Sequence, residues 1–253
     1  MLAATFAVGA ASSSAQTAPK SAYYELRYFR MRTEHSEQSR RTTEFLTKSY
    51  MPAAKRAGAG PIGLFGASIA PNAPFILRIA SYPSMAAIET AREKLAGDAD
   101  YQKALADYNA NPDPGFMRME SWLLRAFDSF PAIETGPADA ARRIFELRTY
   151  ESLNESTLQQ KIKMFGAGGE IGIFRSCGMQ PVLFGEAVVG ANMPHLSYML
   201  AFENLAAREK LWAVFSASPD WQKLRTNPEY SSPALVTNIG NAILTPVQGS
   251  DIR

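Results

Sequence analysis

Polar and apolar positions alternate along Tyr23 to Met31, the period of a half-buried strand. Tyr24, Leu26 and Tyr28 fall on one face, and Glu25, Arg27 and Phe29 on the other. Downstream the period changes to that of a helix, carrying Phe45, Leu46, Tyr50, Met51 and Ala54 towards a core, with Thr33 as a candidate N-cap. Pro52 is expected to bend this helix near its end, and Gly58 and Gly60 to stop it. Two apolar runs, Ile62 to Ala70 and Phe75 to Ser81, flank Pro71-Asn72-Ala73-Pro74 and predict a hairpin. Ser84 then caps a second helix carrying Met85, Ile88 and Leu95, which breaks at Gly97-Asp98. After a further helical turn with Tyr101 and Leu105, a strand from Phe116 to Phe127 closes the unit.

The same succession returns. Tyr24-Glu25-Leu26-Arg27 reappears as Phe145-Glu146-Leu147-Arg148, Leu64-Phe65-Gly66 as Leu183-Phe184-Gly185, and Asp100-Tyr101-Gln102-Lys103 as Asp220-Trp221-Gln222-Lys223. These matches keep one order at nearly constant offset, so the chain is read as a tandem duplication. The second hairpin is Pro181 to Val189 and Leu196 to Phe202, the second cap Asn204, the second break Ser218-Pro219 and the last strand Ala234 to Thr245. Each half reads β-α-β-β-α-β, a ferredoxin-like split unit with helices on one sheet face. The bare faces need cover, and each half supplies it to the other. The predicted fold class is α+β: tandem ferredoxin-like repeats packing sheet to sheet as an α+β barrel. The expected boundaries are 22–127 for the first repeat, 128–141 for a Pro/Ala/Gly-rich linker and 142–247 for the second repeat.

Composition adds few constraints. The hydrophobic fraction of 46%, charged fraction of 20% and net charge of +2 describe an ordinary globular chain with no electrostatic footprint for nucleic acid. The single cysteine, Cys177, excludes an intrachain disulfide framework. Residues 1–11 are apolar and uncharged and are followed by Ser12-Ser13-Ser14-Ala15-Gln16, which resembles the core of a secretory leader with a small-residue cleavage site after Ala15. They are too short to span a bilayer. The basic stretch that normally precedes such a core is absent, as in a leader shortened at its start. Export to the periplasm or medium is the expectation, with a cytoplasmic protein bearing an Ala/Ser-rich N-terminus as the alternative.

Tyr24-Glu25-Leu26-Arg27-Tyr28 and Phe145-Glu146-Leu147-Arg148-Thr149-Tyr150, each opening a repeat, with the glycine that ends the first helix and the hairpin that follows, resemble the NIPSNAP family of the dimeric α+β barrel superfamily. The resemblance spans Tyr23 to Val247. It implies the barrel fold and carries over no agreed catalytic residue.

If Leu26 and Leu147 face the helices, Glu25, Arg27, Glu146 and Arg148 point into the barrel, where charges must pair. One reading is a structural Glu–Arg lattice that sets how the sheets meet. Another is a cavity whose arginines receive an anionic or carbonyl-bearing small ligand, with Arg78 and Glu186 in the same lining. Exposed edge charges are a third reading. His35 and His195 have no neighbours at metal-ligand spacing, so no metal site is expected. Haem-binding relatives in the superfamily make His195 the one weak candidate for a haem ligand; no cofactor is otherwise expected. Cys177 reads as a packing residue rather than a nucleophile, and Gly166-Ala167-Gly168-Gly169 lacks the context of a phosphate loop. Tyr101, Trp122, Trp212 and Trp221 read as core.

Three functions from different classes remain open: a small-molecule binder between the sheets, an oxygenase-like enzyme (cofactor-free or haem-dependent) by analogy with the superfamily, and a non-catalytic protein that forms homo-oligomers.

Overall fold

In the computed structural model, which describes residues 21–33, 36–136 and 143–253, the two halves share one barrel. The first contributes β1 (Tyr23–Arg30), β2 (Ile62–Ile69), β3 (Phe75–Tyr82) and β4 (Arg118–Ala126); the second contributes β5 (Ile144–Glu151), β6 (Gln180–Val189), β7 (His195–Phe202) and β8 (Asn238–Pro246). All pairings are antiparallel, and the strands close in the order β1-β3-β2-β8-β5-β7-β6-β4. The halves are stitched twice, β2 to β8 and β4 to β6, so neither retains a free sheet edge. The expected α+β barrel of two ferredoxin-like units is the observed fold.

Helices α1 (Ser36–Phe45), α2 (Met51–Ala57), α3 (Met85–Gly97) and α4 (Ala99–Asn109) belong to the first half, and α5 (Glu155–Phe165), α6 (Glu170–Ser176), α7 (Leu205–Ala217) and α8 (Pro219–Arg225) to the second. The expected second-helix caps are in place: Ser84 Oγ accepts from the Ala87 amide, and Asn204 Oδ1 from that of Ala207. At Pro52 the helix changes its hydrogen-bond pattern. The wide π turn Leu46–Tyr50, with the Met51 amide bonded to the Leu46 carbonyl, carries α1 into α2 past the missing proline N–H. In the second half, Gly166–Gly169 interrupts the helix between α5 and α6, and Gly169 takes φ of 91° ahead of α6.

Three cores follow from the alternation of the strands. Leu26, Leu77, Leu124, Leu147, Met199 and Leu244 fill the barrel from both halves. Two outer cores lie beneath the helices, one per half. The linker continues the fold as far as it is described: Phe130 is buried against Phe184, and the Glu134 amide bonds the Val182 carbonyl. Beyond Val247 the chain returns to the first half, where Asp251 accepts from the Ile62 amide and Ile252 is fully buried. Residues 1–15, where a secretory leader was expected, His35 and the remainder of the linker lie outside the described residues.

One repeat match is displaced. Leu64 pairs with Arg78 and Phe184 with Tyr198, while Arg27 and Arg148 face those same two partners. Leu64 and Phe184 are therefore equivalent, although the sequences align Leu64 with Leu183. A bulge between Pro181 and Leu183 supplies the one-residue slip, which reverses the face each side chain takes.

Candidate functional site

The faces of β1 and β5 are opposite to those expected. Leu26 and Leu147 point into the barrel, and Glu25, Arg27, Glu146 and Arg148 point outward beneath the helices. The reason is polar supply. The middle of an eight-stranded barrel is filled by side chains, here aliphatic and aromatic, and offers a carboxylate no cation. The helix side offers several. The six residues expected to share one lining separate into three groups: Glu25, Arg27 and Arg78 under the first-half helices; Glu146 and Arg148 under the second-half helices; and Glu186 apart, bonded to Gln159 of α5.

Under the first-half helices, Glu25 accepts from Arg27 at 2.6 Å, from Arg92 of α3 at 2.8 Å, and from Arg78. Burial alone would raise the Glu25 carboxyl, but Arg78, Arg27 and Arg92 together outweigh it and hold the group below the ordinary carboxylate value. Burial and the like charge of Arg78 push the Arg27 guanidinium below its usual range, with Glu25 opposing. Arg78 lies 4.3 Å from the Tyr50 ring centroid. Three guanidiniums around one carboxylate leave two positive charges in excess.

These groups line a cavity of about 440 Å³. Its other walls include the aromatic rings of Phe29 from β1, Phe45 and Tyr50 from the first helix and its π turn, Tyr82 from β3, and Tyr101 and Tyr108 from α4, with Leu46, Leu95, Leu105 and Met119 among the aliphatic side chains between them. Phe45 and Tyr108 stack at 4.5 Å, and the Tyr108 hydroxyl lies 2.8 Å from Thr42 Oγ1. The Nε atoms of Arg27 and Arg78 are buried without a hydrogen-bond partner. The arrangement suits an anionic group on a flat apolar body: charge at one end, ring faces around the rest.

The second half treats the same ground differently. Glu146 accepts from Arg148, twice from Arg208 and from the Trp212 indole N–H, and is wholly buried. Phe165, Phe174, Phe184 and Tyr198, all fully buried, occupy the space above it, with Trp212 and Phe215 packed on Phe174. A buried Lys161–Glu170 ion pair completes this side. Duplication has thus left one unit with a lined cavity and the other with a packed aromatic core.

A second cavity, of about 320 Å³, opens at the mouth of the barrel between the hairpin loops. Tyr28, Phe75 and Trp122 form one wall, with Arg30 bonded by Nε and Nη2 to the two carboxylate oxygens of Glu120. Thr149, Glu151, Gly240 and Ala242 form the other. His195 lies behind this site, wholly buried, its ring 5.2 Å from Trp122 and its Nδ1 3.3 Å from the Asn192 carbonyl. Its Nε2 is buried without a hydrogen-bond partner, but His195 lines neither cavity, so neither offers room for a haem on that nitrogen. Among the described residues no cluster of three metal-ligating side chains occurs. Cys177 is a free, half-buried thiol against the second-half core. The aromatic set divides: Trp212 and Trp221 are core, Tyr101 lines the first cavity and Trp122 the second.

Arg92, Tyr50, Tyr82 and Tyr108, and at the mouth Arg30, Glu120 and Glu151, were not singled out by sequence reasoning. The available signal was the repeat: Arg30 and Glu151 hold the same place with opposite charge.

Residues 145–251, in the second half, match the NIPSNAP family model. No curated protein matches the chain. A crystal structure described as a putative monooxygenase from Lactobacillus acidophilus NCFM shares the fold at a TM-score of 0.58 and 13% identity, over 89% of this chain and 94% of that one. A putative monooxygenase from Fusobacterium nucleatum does so at 0.55 and 10%, over 90% and 93%. An anthrone oxidase-like protein does so at 0.51 and 10%, over 91% and 93%. Among the described residues no helix is long and apolar enough to cross a membrane.

Proposed function

We propose that this barrel, whose second half matches the NIPSNAP family model, binds a small anionic organic molecule in the helix–sheet cavity of its first half. One observation carries the reading: Arg27, Arg78 and Arg92 converge on the single carboxylate of Glu25 in a cavity whose remaining walls are largely aromatic and aliphatic. Arg78 and Glu25 are the fixed base of the site, since both are buried. Arg27, with 22% of its side chain exposed, is the group free to meet a ligand carboxylate or enolate, and the phenols of Tyr50 and Tyr101 take the ring. The ligand therefore sits under the helices and not between the sheets.

The test is native mass spectrometry of the purified chain for a co-purified small molecule, followed by titration with aromatic carboxylates such as naphthoate. Arg27→Ala should weaken binding by at least about tenfold, the loss of one charge-assisted contact, while circular dichroism is unchanged. Binding that survives in Arg27→Ala sinks the assignment.

A second reading makes the same molecule a substrate for oxygen-dependent turnover. It is favoured by the likeness in fold to the putative monooxygenases and by a cavity suited to an easily oxidised aromatic anion. Oxygen uptake on adding hydroxylated aromatic ligands, abolished by Arg27→Ala, distinguishes turnover from binding alone.

A further inference from the structure

We propose that the mouth of the barrel is a second, separate site, and that it takes an organic cation: a protonated amine on a short aromatic or aliphatic body. The evidence is a broken symmetry. Tyr28 pairs with Glu120 across β1 and β4, and Thr149 pairs with Gly240 across β5 and β8. In the same registers Leu26 pairs with Trp122 and Leu147 with Ala242. The duplication thus equates Glu120 with Gly240, Trp122 with Ala242, and Arg30 with Glu151. In the first half an arginine meets a glutamate and the pair is neutral. In the second half a glutamate stands where the arginine should be, and a glycine where its counter-ion should be.

Among the described residues Glu151 has no counter-charge. Its Oε1 accepts from Asn192 Nδ2 at 3.2 Å and Asn238 Nδ2 at 3.0 Å, neutral donors that orient the carboxylate. Among the described residues no cationic side chain lies within 4.0 Å of it. Arg30, on the opposite wall, is fully committed. It donates to Glu120 and to the Asn72 carbonyl, and it lies 5.0 Å and 4.9 Å from the Tyr28 and Phe75 ring centroids. His195, the paired residue on β7, is pushed below its ordinary value by burial, with Glu151 only partly opposing. The cavity therefore carries one net negative charge.

The space is built as well as the charge. A Cβ on Gly240 would meet nothing nearer than Thr149 Cβ at 3.6 Å, so the glycine relieves no clash and simply leaves room. Trp122 lines that room with a ring that has no cation over it, a surface that favours cations, while Tyr28 and Phe75 lie under the Arg30 guanidinium and complete the apolar wall. A single free carboxylate with rings around it suits an ammonium group better than a metal ion, which needs several oxygen ligands.

The experiment is calorimetric titration of the full chain with 2-phenylethylamine and with its acidic counterpart 3-phenylpropanoate. The amine should bind at one site. Glu151→Gln, which keeps the acceptor for both asparagines, should weaken it at least about tenfold, as expected for a lost ion pair. Gly240→Val, a β-branched residue in an extended strand, should abolish binding with the melting temperature preserved. Arg27→Ala, in the other cavity, should leave amine binding untouched, which separates this site from the anion site. The proposal is overturned if the acid binds as tightly as the amine, if the amine does not bind, or if Glu151→Gln and Gly240→Val bind like the parent.

Discussion

Phe65 of β2 and Phe145 of β5 meet edge to face inside the barrel, centroids 5.1 Å apart and planes at 61°. One comes from each half, and both are fully buried. The contact lies in a single interior core shared by both halves. Phe145→Ala is expected to destabilise the whole chain by about 3–5 kcal/mol in one cooperative transition. Two separable urea transitions would show that the halves fold independently. By the same logic residues 143–253 alone, with β6 and β8 stripped of their partners, should not be a stable monomer. Light scattering with circular dichroism decides between that and an autonomous domain.

Arg78 and Arg92 both reach Glu25, from opposite extremes of exposure. Arg78→Met strands a buried carboxylate and should cost about 3 kcal/mol, the low end for a broken buried pair because Arg27 and Arg92 remain. Arg92, with 64% of its side chain exposed, is screened by solvent. Arg92→Ala should change stability by less than about 1 kcal/mol. Equal losses in denaturant unfolding would refute this division of labour.

Repeat, element order and second-helix caps were legible because strand alternation, capping residues and helix breaks are local signals. The facing of β1 was not. Both faces are rich in aromatic residues, Tyr24 and Tyr28 on one and Tyr23 and Phe29 on the other, so hydrophobicity alone gives no preference. What decides is the position of donors remote in sequence, Arg78 and Arg92, which β1 cannot reveal. The Leu-Phe-Gly match misled for another reason: a bulge changes which residue is equivalent without changing the letters. The mouth cavity depends on the pairing of β1 with β4 and of β5 with β8, strands roughly ninety residues apart in each half.

Glu25 and Glu146 give the fold an acid limb. Burial opposes their ionisation, but their arginines hold both below the ordinary value of 4.5. A carboxylate depressed in the folded state stabilises fully above its unfolded pKa, and that contribution is lost as pH falls through the folded value. Stability should therefore fall between about pH 4.5 and the lower native values, and Glu146→Gln should flatten that slope. Urea midpoints measured from pH 7 to pH 3 test it; an unchanged slope in Glu146→Gln would remove Glu146 from the account.

Lys161 and Glu170 pair at 2.7 Å beneath the second-half helices, both buried, with the Lys161 ammonium 4.4 Å from the Phe165 ring centroid. Burial raises the Glu170 carboxyl, and Lys161 offsets only part of it. The sign is opposite to that of Glu146: this contribution is present below the unfolded value of 4.5 and is lost as pH rises through the folded value. Removing one partner leaves an uncompensated charge in an aromatic core, so Lys161→Met should cost about 3–5 kcal/mol at neutral pH. Replacing both, with Lys161→Met and Glu170→Leu, removes the desolvation cost together with the attraction. The double variant should return to within about 1 kcal/mol of the parent or exceed it, because apolar residues of similar volume suit a site lined by Phe165, Tyr150 and Trp221. A double variant as unstable as the single one would mean that the pair holds the α5–α6 break in place through its geometry and not merely through its charge.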